Sequence, residues 1–236
     1  MRKKIIRVIF SVVGALAALC IAFVGYFAAR GALMWGKAKE EKPLDALVAE
    51  LRGREGFAEF SELPEFYIDA VISVEDRKFE THGGINPKSI ARALLYDIKT
   101  LSFEQGGSTI TQQLAKNLWF TQEKKLERKF AEVYAAFELE KALSKDEIFE
   151  LYVNTIYFGS GFYGITEAAR GYFGKTPGEL SEYECAMLAG LPNAPSAYSP
   201  DESPELAVQR LELVLDSMRD NGVISEDKAR EVLAAA

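Results

Sequence analysis

From Val8 to Ala29 the chain carries no charged side chain. The run reads VIFSVVGALAALCIAFVGYFAA, and about 20 apolar residues are enough to cross a bilayer as a helix rising about 1.5 Å per residue. This stretch is not globular, and it divides the chain. The expected parts are a cytoplasmic tail over 1–7, a transmembrane anchor over 8–29, a juxtamembrane connector over 30–44 and one domain over 45–236. Arg2, Lys3 and Lys4 also give the basic start of a secretory signal, and small residues lie at Ala28 and Ala29. The apolar run is longer than the roughly 7–15 residues of a signal core, so an uncleaved anchor is expected. Orientation is not settled by charge. Arg2, Lys3, Lys4 and Arg7 precede the run, and Arg30, Lys37, Lys39 and Lys42 follow it closely.

The remaining length suits a single domain with a real core. A net charge of −7 argues against general nucleic-acid binding, which shows a basic stripe. His82 is the lone histidine, and the two cysteines, Cys20 and Cys185, fall in the anchor and the domain. With no CxxC and no His/Cys cluster, a zinc site is excluded.

Helix signals dominate the domain. Asn86-Pro87 is a cap with proline at the first helical position, ahead of Ile90, Leu94, Leu95, Ile98 and Leu101 at helical spacing. Thr109/Gln112, Ser144/Glu147 and Ser181/Glu184 fit capping boxes, and Thr176, Pro177 and Glu179 mark another helical start. Leu126, Phe130, Val133, Tyr134 and Phe137 predict the apolar stripe of a long helix over about 124–143. Ser203-Pro204 opens a helix that stops near Asn221-Gly222, and Ser225 caps a last short one. Strand patterns are scarce, with Ile156 to Phe158 as a short extended candidate. The fold class is mainly α.

Three segments carry chemistry. Glu75-Asp76 lies between an apolar segment and a Gly-rich turn. A carboxylate against an apolar wall is a candidate general base, and the bland alternative is a solvated pair bridged to Arg77 or Lys78. In GGSTITQQLAKN (106–117), Ser108, Thr109, Thr111, Gln112, Gln113 and Lys116 offer the hydroxyls, amides and cation that suit a sugar phosphate. The alternative there is a well-capped helix with a polar face. In KKLERKFAE (124–132), Glu132 falls opposite the Phe130/Val133/Phe137 stripe. It is either half of a surface ion pair with Arg128, or a cleft residue among Lys124, Arg128 and Lys129 that would hold a leaving pyrophosphate. His82 reads as a structural turn residue.

Together these segments resemble the peptidoglycan glycosyltransferase family (family 51), found alone or as the N-terminal half of bifunctional penicillin-binding proteins. EDRKFETHGG (75–84), GGSTITQQLAKN (106–117), RKFAE (128–132), KDEIFELYVNTIYFG (145–159) and the 168–200 segment match its blocks in order. The resemblance implies a lysozyme-like α-fold with a membrane-facing jaw lobe, outside the cytoplasmic membrane. It implies Glu75 as general base and Glu132 as the glutamate that assists the leaving pyrophosphate, directly or through Mg2+ or Mn2+. Substrate contacts fall on Asp76, Ser108, Thr109, Gln112, Gln113, Lys116, Lys124, Arg128, Lys129 and Asn154. The implied partners are lipid II, the undecaprenyl-diphosphate-linked glycan, the membrane and other cell-wall synthases. Two positions depart from the pattern: Asn86 replaces an aspartate, and Ala131 stands where a basic residue often precedes the second glutamate. Leu101-Ser102-Phe103 and Leu118-Trp119-Phe120 are the pieces expected to dip into the bilayer interface.

The implied reaction is an inverting transfer that forms a β-1,4 link and releases undecaprenyl diphosphate. A transpeptidase activity would need further signatures. Ser225 to Lys228 (SEDK) matches one by chance, and no Lys-Thr-Gly exists. The competing readings are a lysozyme-like or lytic glycan-cleaving enzyme and an inactive membrane-anchored scaffold.

Overall fold

A computed structural model describes residues 2–92, 107–121, 123 and 125–235. Among these, helices carry the architecture, and the extended candidate near Ile156 reduces to one antiparallel bridge between Tyr157 and Tyr163. Helix α1 (Arg2–Glu41) contains the apolar run, α2 spans Leu44–Arg52, and α3 spans Glu65–Glu75. A further helix opens at Pro87, and its described part ends at Arg92. Then follow α4 (Ile110–Trp119), α5 (Leu126–Ala142), α6 (Lys145–Val153), α7 (Ile165–Phe173) and α8 (Glu182–Gly190). The short α9 (Pro195–Tyr198), α10 (Pro204–Asp220) and α11 (Glu226–Leu233) complete the chain.

The predicted caps form. Thr109, Ser144 and Ser181 each accept a backbone N–H three residues on, while Gln112, Glu147 and Glu184 return the bond, satisfying two orphan donors per helix start. Asn86 Oδ1 accepts from Ser89 N at 3.1 Å, so the asparagine caps as an aspartate would. Ser225 caps α11, and Gly222, at φ +74°, takes the left-handed turn after α10 that a residue with a Cβ would resist.

The core has two parts. Helices α3, α8 and α10 pack against one another, and α4 packs on α5 and α6. Tyr67, Phe79, Leu114, Leu139, Phe149, Tyr152 and Leu188 are fully buried between them. Helix α1 joins the second part through α5.

Two expectations give way here. The connector over 30–44 is not a separate segment, because α1 continues unbroken to Glu41. Trp119 does not dip toward a bilayer. It is buried, packs edge-on to Trp35 with ring centroids 4.8 Å apart, and donates from Nε1 to Lys42 O at 2.8 Å. An indole with its N–H satisfied inside protein has no reason to seek an interface. Leu101, Ser102 and Phe103, the other piece expected to dip into the bilayer interface, lie outside the described residues.

The predicted stripe of α5 is also corrected. Its buried face is Ala131, Ala135, Ala136 and Leu139, whereas Leu126 and Phe137 are about half exposed. The reason is the neighbour. A Cβ built on Gly31 of α1 would meet Phe130 Cβ at 2.5 Å and Ala131 N at 2.9 Å. Two helices this close need a residue without a Cβ at the contact, which Gly31 supplies opposite Phe130 and Ala131. Ala131 is thus a buried packing residue in the face of α5 that meets α1.

Candidate active site

Glu75 is the last residue of α3, where the chain leaves the helix. Its carboxylate accepts one hydrogen bond among the described residues, from Gln113 Nε2 at 2.7 Å. Burial pushes its pKa up; the Gln113 bond, Arg210 and Lys116 oppose this, and Asp76 adds to it. The negative end of the α3 dipole works in the same direction as burial. Glu75 lines a cleft of about 330 Å³ together with Asn86, Lys88, Arg92, Ser108 and Asn221.

Its neighbour Asp76 does a different job. It is buried, with Oδ2 2.6 Å from His82 Nε2 and accepting from Ile110 N at 3.1 Å. His82 Nδ1 accepts from Gly84 N at 3.0 Å, so Nε2 carries the proton and the ring is spent on structure. Thr109 Oγ1 donates to Gly84 O at 2.6 Å. Asp76 thereby ties the end of α3 to the turn at 82–84 and to the first turn of α4. That tie fixes Glu75 relative to Gln113 and Lys116, which lie three apart on one face of α4.

Glu132 contrasts with Glu75. It is almost fully buried, ion-paired to Arg128 one turn earlier and to Lys129 at 2.9 Å. Lys129 Nζ also donates to Ser108 Oγ at 2.6 Å, linking this cluster to the cleft of Glu75. Lys116 stands in the field of both carboxylates and of Arg128 and Lys129. Its pKa is lowered, mainly by burial, with Glu132 and Glu75 opposing that.

The expected site residues therefore separate. Glu75, Gln113, Lys116, Ser108, Arg128, Lys129 and Glu132 come together. Asp76, Thr109 and Gln112 are buried and hydrogen-bonded within the turn and the cap, and Asp76 and Thr109 also line the cleft of Glu75. Asn154 is not in this cleft. Its amide donates to Ala58 O and Glu150 O, both at 2.8 Å, and its Oδ1 accepts from Ala58 N at 2.9 Å. It lines a separate cavity of about 550 Å³ beside α2. Lys124 lies outside the described residues. Sequence reasoning missed Arg210, whose guanidinium donates to Gly190 O at 3.1 Å and acts on Glu75 through its charge. No local signal marks it, because α10 meets α3 only in the folded chain.

A resident divalent ion does not fit the donor set. The two oxygens of Glu132 are held by Arg128 and Lys129, and among the described residues no three His, Cys, Asp or Glu side chains cluster as ligands. The positive charge at this end of the groove comes from side chains.

A family model described as Transglycosylase matches residues 41–219. The chain belongs to the transglycosylase family. Penicillin-binding protein 1A of Aquifex aeolicus (strain VF5) is 46% identical over 177 residues, covering 75% of this chain and 24% of the relative. Penicillin-binding protein 1A of Neisseria flavescens is 42% identical over 180 residues, covering 76% and 23%. The chain thus spans about a quarter of the length of the curated relatives it matches. A crystal structure of penicillin-binding protein 1A from Haemophilus influenzae aligns over 78% of this chain and 18% of that one, at 24% identity and a TM-score of 0.47. The transglycosylase match includes Glu75, Lys116, Arg128, Lys129 and Glu132, and begins at the last residue of α1.

Proposed function

We propose that this transglycosylase chain polymerises glycan strands from lipid II, with α1 spanning the bacterial cytoplasmic membrane and the domain on its outer face. The observation that carries the reading is the unequal treatment of the two carboxylates. Glu75 is held by a neutral amide in a setting that raises its proton affinity, and Glu132 is locked between cations, with Lys116 acting on both.

An inverting displacement at a sugar carbon needs a base on the attacking side and charge stabilisation on the leaving side. The acceptor is lipid II, and the donor is the growing strand on undecaprenyl diphosphate. The acceptor's 4-hydroxyl oxygen attacks the anomeric carbon of the donor. Glu75 takes the hydroxyl proton as the new C–O bond forms. The bond to the diphosphate breaks, and its electron pair leaves with the phosphate oxygen. Arg128, Lys129 and Lys116 receive that charge. Glu132 holds Arg128 and Lys129 in place so that no reorganisation is needed as the charge develops.

Helix α1 supports the membrane part of the reading. The apolar window within it is entirely unburied by the domain, with Phe10, Leu19 and Ile21 exposed, so it is not a core helix. Confining enzyme and both lipid-linked substrates to one plane removes much of the search entropy.

The test is incubation of the purified chain with labelled lipid II, with and without moenomycin, an inhibitor of this family that mimics the lipid-diphosphate donor. Moenomycin-sensitive polymer is expected. Fragment release from purified cell wall, with no polymer from lipid II, would overturn the reading in favour of a glycan-cleaving enzyme.

A further inference from the structure

The upper half of α1 is not a free tether. Arg30 Nη2 lies 3.9 Å from Glu127, Gly31 sits against Phe130 and Ala131, and Lys39 Nζ pairs with Glu138 at 3.3 Å. Partners climb both helices in the same direction, so α1 and α5 run parallel. The ion pairs are exposed and contribute little. The contact at Gly31 sets the register, because any side chain there collides with the backbone of α5.

This register sets a height. The apolar run ends at Ala29, and Gly31 touches Ala131. Glu132 therefore stands about 3–5 Å past the end of the apolar run, at about 1.5 Å per residue. Arg128 and Lys129, one turn lower on α5, fall at the Ala29 boundary itself. A bilayer has about 30 Å of hydrocarbon inside a total of about 40–45 Å, so each headgroup layer is about 5–8 Å deep. Glu132 lands inside that layer, and Arg128 and Lys129 stand at its inner edge. Leu126, below it at the start of α5, is an exposed apolar side chain on the hydrocarbon side of the boundary.

Resting on the reading that α1 crosses a bilayer and that the donor carries a lipid diphosphate, we propose that the Gly31–Ala131 contact is a depth gauge. It holds Arg128, Lys129 and Glu132 at the inner part of the headgroup layer, and so selects diphosphates that are seated in a bilayer. Gly31 is a positioning residue, and it acts through the placement of α5.

The experiment inserts seven polar helix-forming residues between Ala29 and Arg30 in the full chain. Seven residues lift the domain by about 10 Å and turn it by only about 20°, leaving the Gly31 contact intact. Polymerisation is measured on lipid II in vesicles and on a short-chain, water-soluble lipid II analogue. The vesicle rate is expected to fall at least tenfold, with the soluble-substrate rate within twofold of the parent. Gly31→Leu, which forces the helices apart, is expected to show the same split. A vesicle rate within twofold of the parent, or equal loss in both formats, would overturn the proposal. A parent chain inactive in both formats would sink the polymerase reading itself.

Discussion

The two glutamates sit on helices built in opposite ways. Helix α3 ends at Glu75 and is fixed from the side, through Asp76, His82 and the first turn of α4. Helix α5 runs past Glu132 in mid-helix and is fixed along its length, by Ala131 against α1 and by the cations on its own preceding turn. One carboxylate is left with a proton to take, and the other has its charge already used. A reaction that moves a proton at one end and a diphosphate at the other asks for that asymmetry.

The largest expected effect tests the first half of it. Glu75→Gln should lower the initial rate of lipid II polymerisation by roughly 10²–10⁴-fold, the range for loss of a positioned base. Folding raises the Glu75 pKa, so ionised Glu75 weakens the fold above that pKa, and the penalty disappears as pH falls through it. The same variant should therefore melt a few degrees higher than the parent at pH 7, by roughly 2–4 °C. Unchanged activity would remove Glu75 as the base.

Glu132→Gln should shift stability the other way. It leaves Arg128, largely buried, without its partner. Removing one member of such a pair typically costs about 3 kcal/mol, and calorimetry should show the melting point fall. Activity should fall roughly 10²-fold. If both glutamine variants moved the melting point in the same direction, the contrast would be wrong.

Gln113→Leu sharpens the comparison with a smaller effect. The bond from Gln113 lowers the Glu75 pKa, so its loss should raise it further. The acid limb of the pH–rate profile should move to higher pH, with rates falling along that limb and little changed on the plateau above it. A limb that moved down would contradict the assigned base. Least affected should be Asn154→Ala. It removes two hydrogen bonds that tie the end of α6 to Ala58 and one to Glu150 O, costing about 1–3 kcal/mol, while kcat/KM of the folded enzyme stays within about threefold.

Which parts were readable from the sequence follows from the distance over which each is decided. The caps were legible because donor and acceptor lie three residues apart: Thr109 and Gln112 pair whatever the rest of the chain does. Within the 106–117 block the sequence does not say which polar side chains reach the first glutamate. Neighbours on a helix point in different directions, and only Gln113 reaches Glu75, 38 positions away in the chain. The buried face of α5 was misread because Phe130 and Phe137 outweigh three alanines in any apolar pattern. Glycine at 31, in a distant helix, decides which face closes. Trp119 was assigned to an interface on residue type, and its partner Trp35 lies in what was read as a loose connector. The cluster at Arg128, Lys129 and Glu132 was legible as chemistry, but the burial of Glu132 was not.

The pairing of Gly31 with Ala131 also bears on chimeras. This domain could not accept, in this register, an anchor with a bulky residue at the position of Gly31, because its first side-chain atom would run into Phe130 Cβ and the backbone of α5. Exchanging anchors between family members should therefore succeed or fail by the size of the residue at the position of Gly31, whatever the overall identity of the donors.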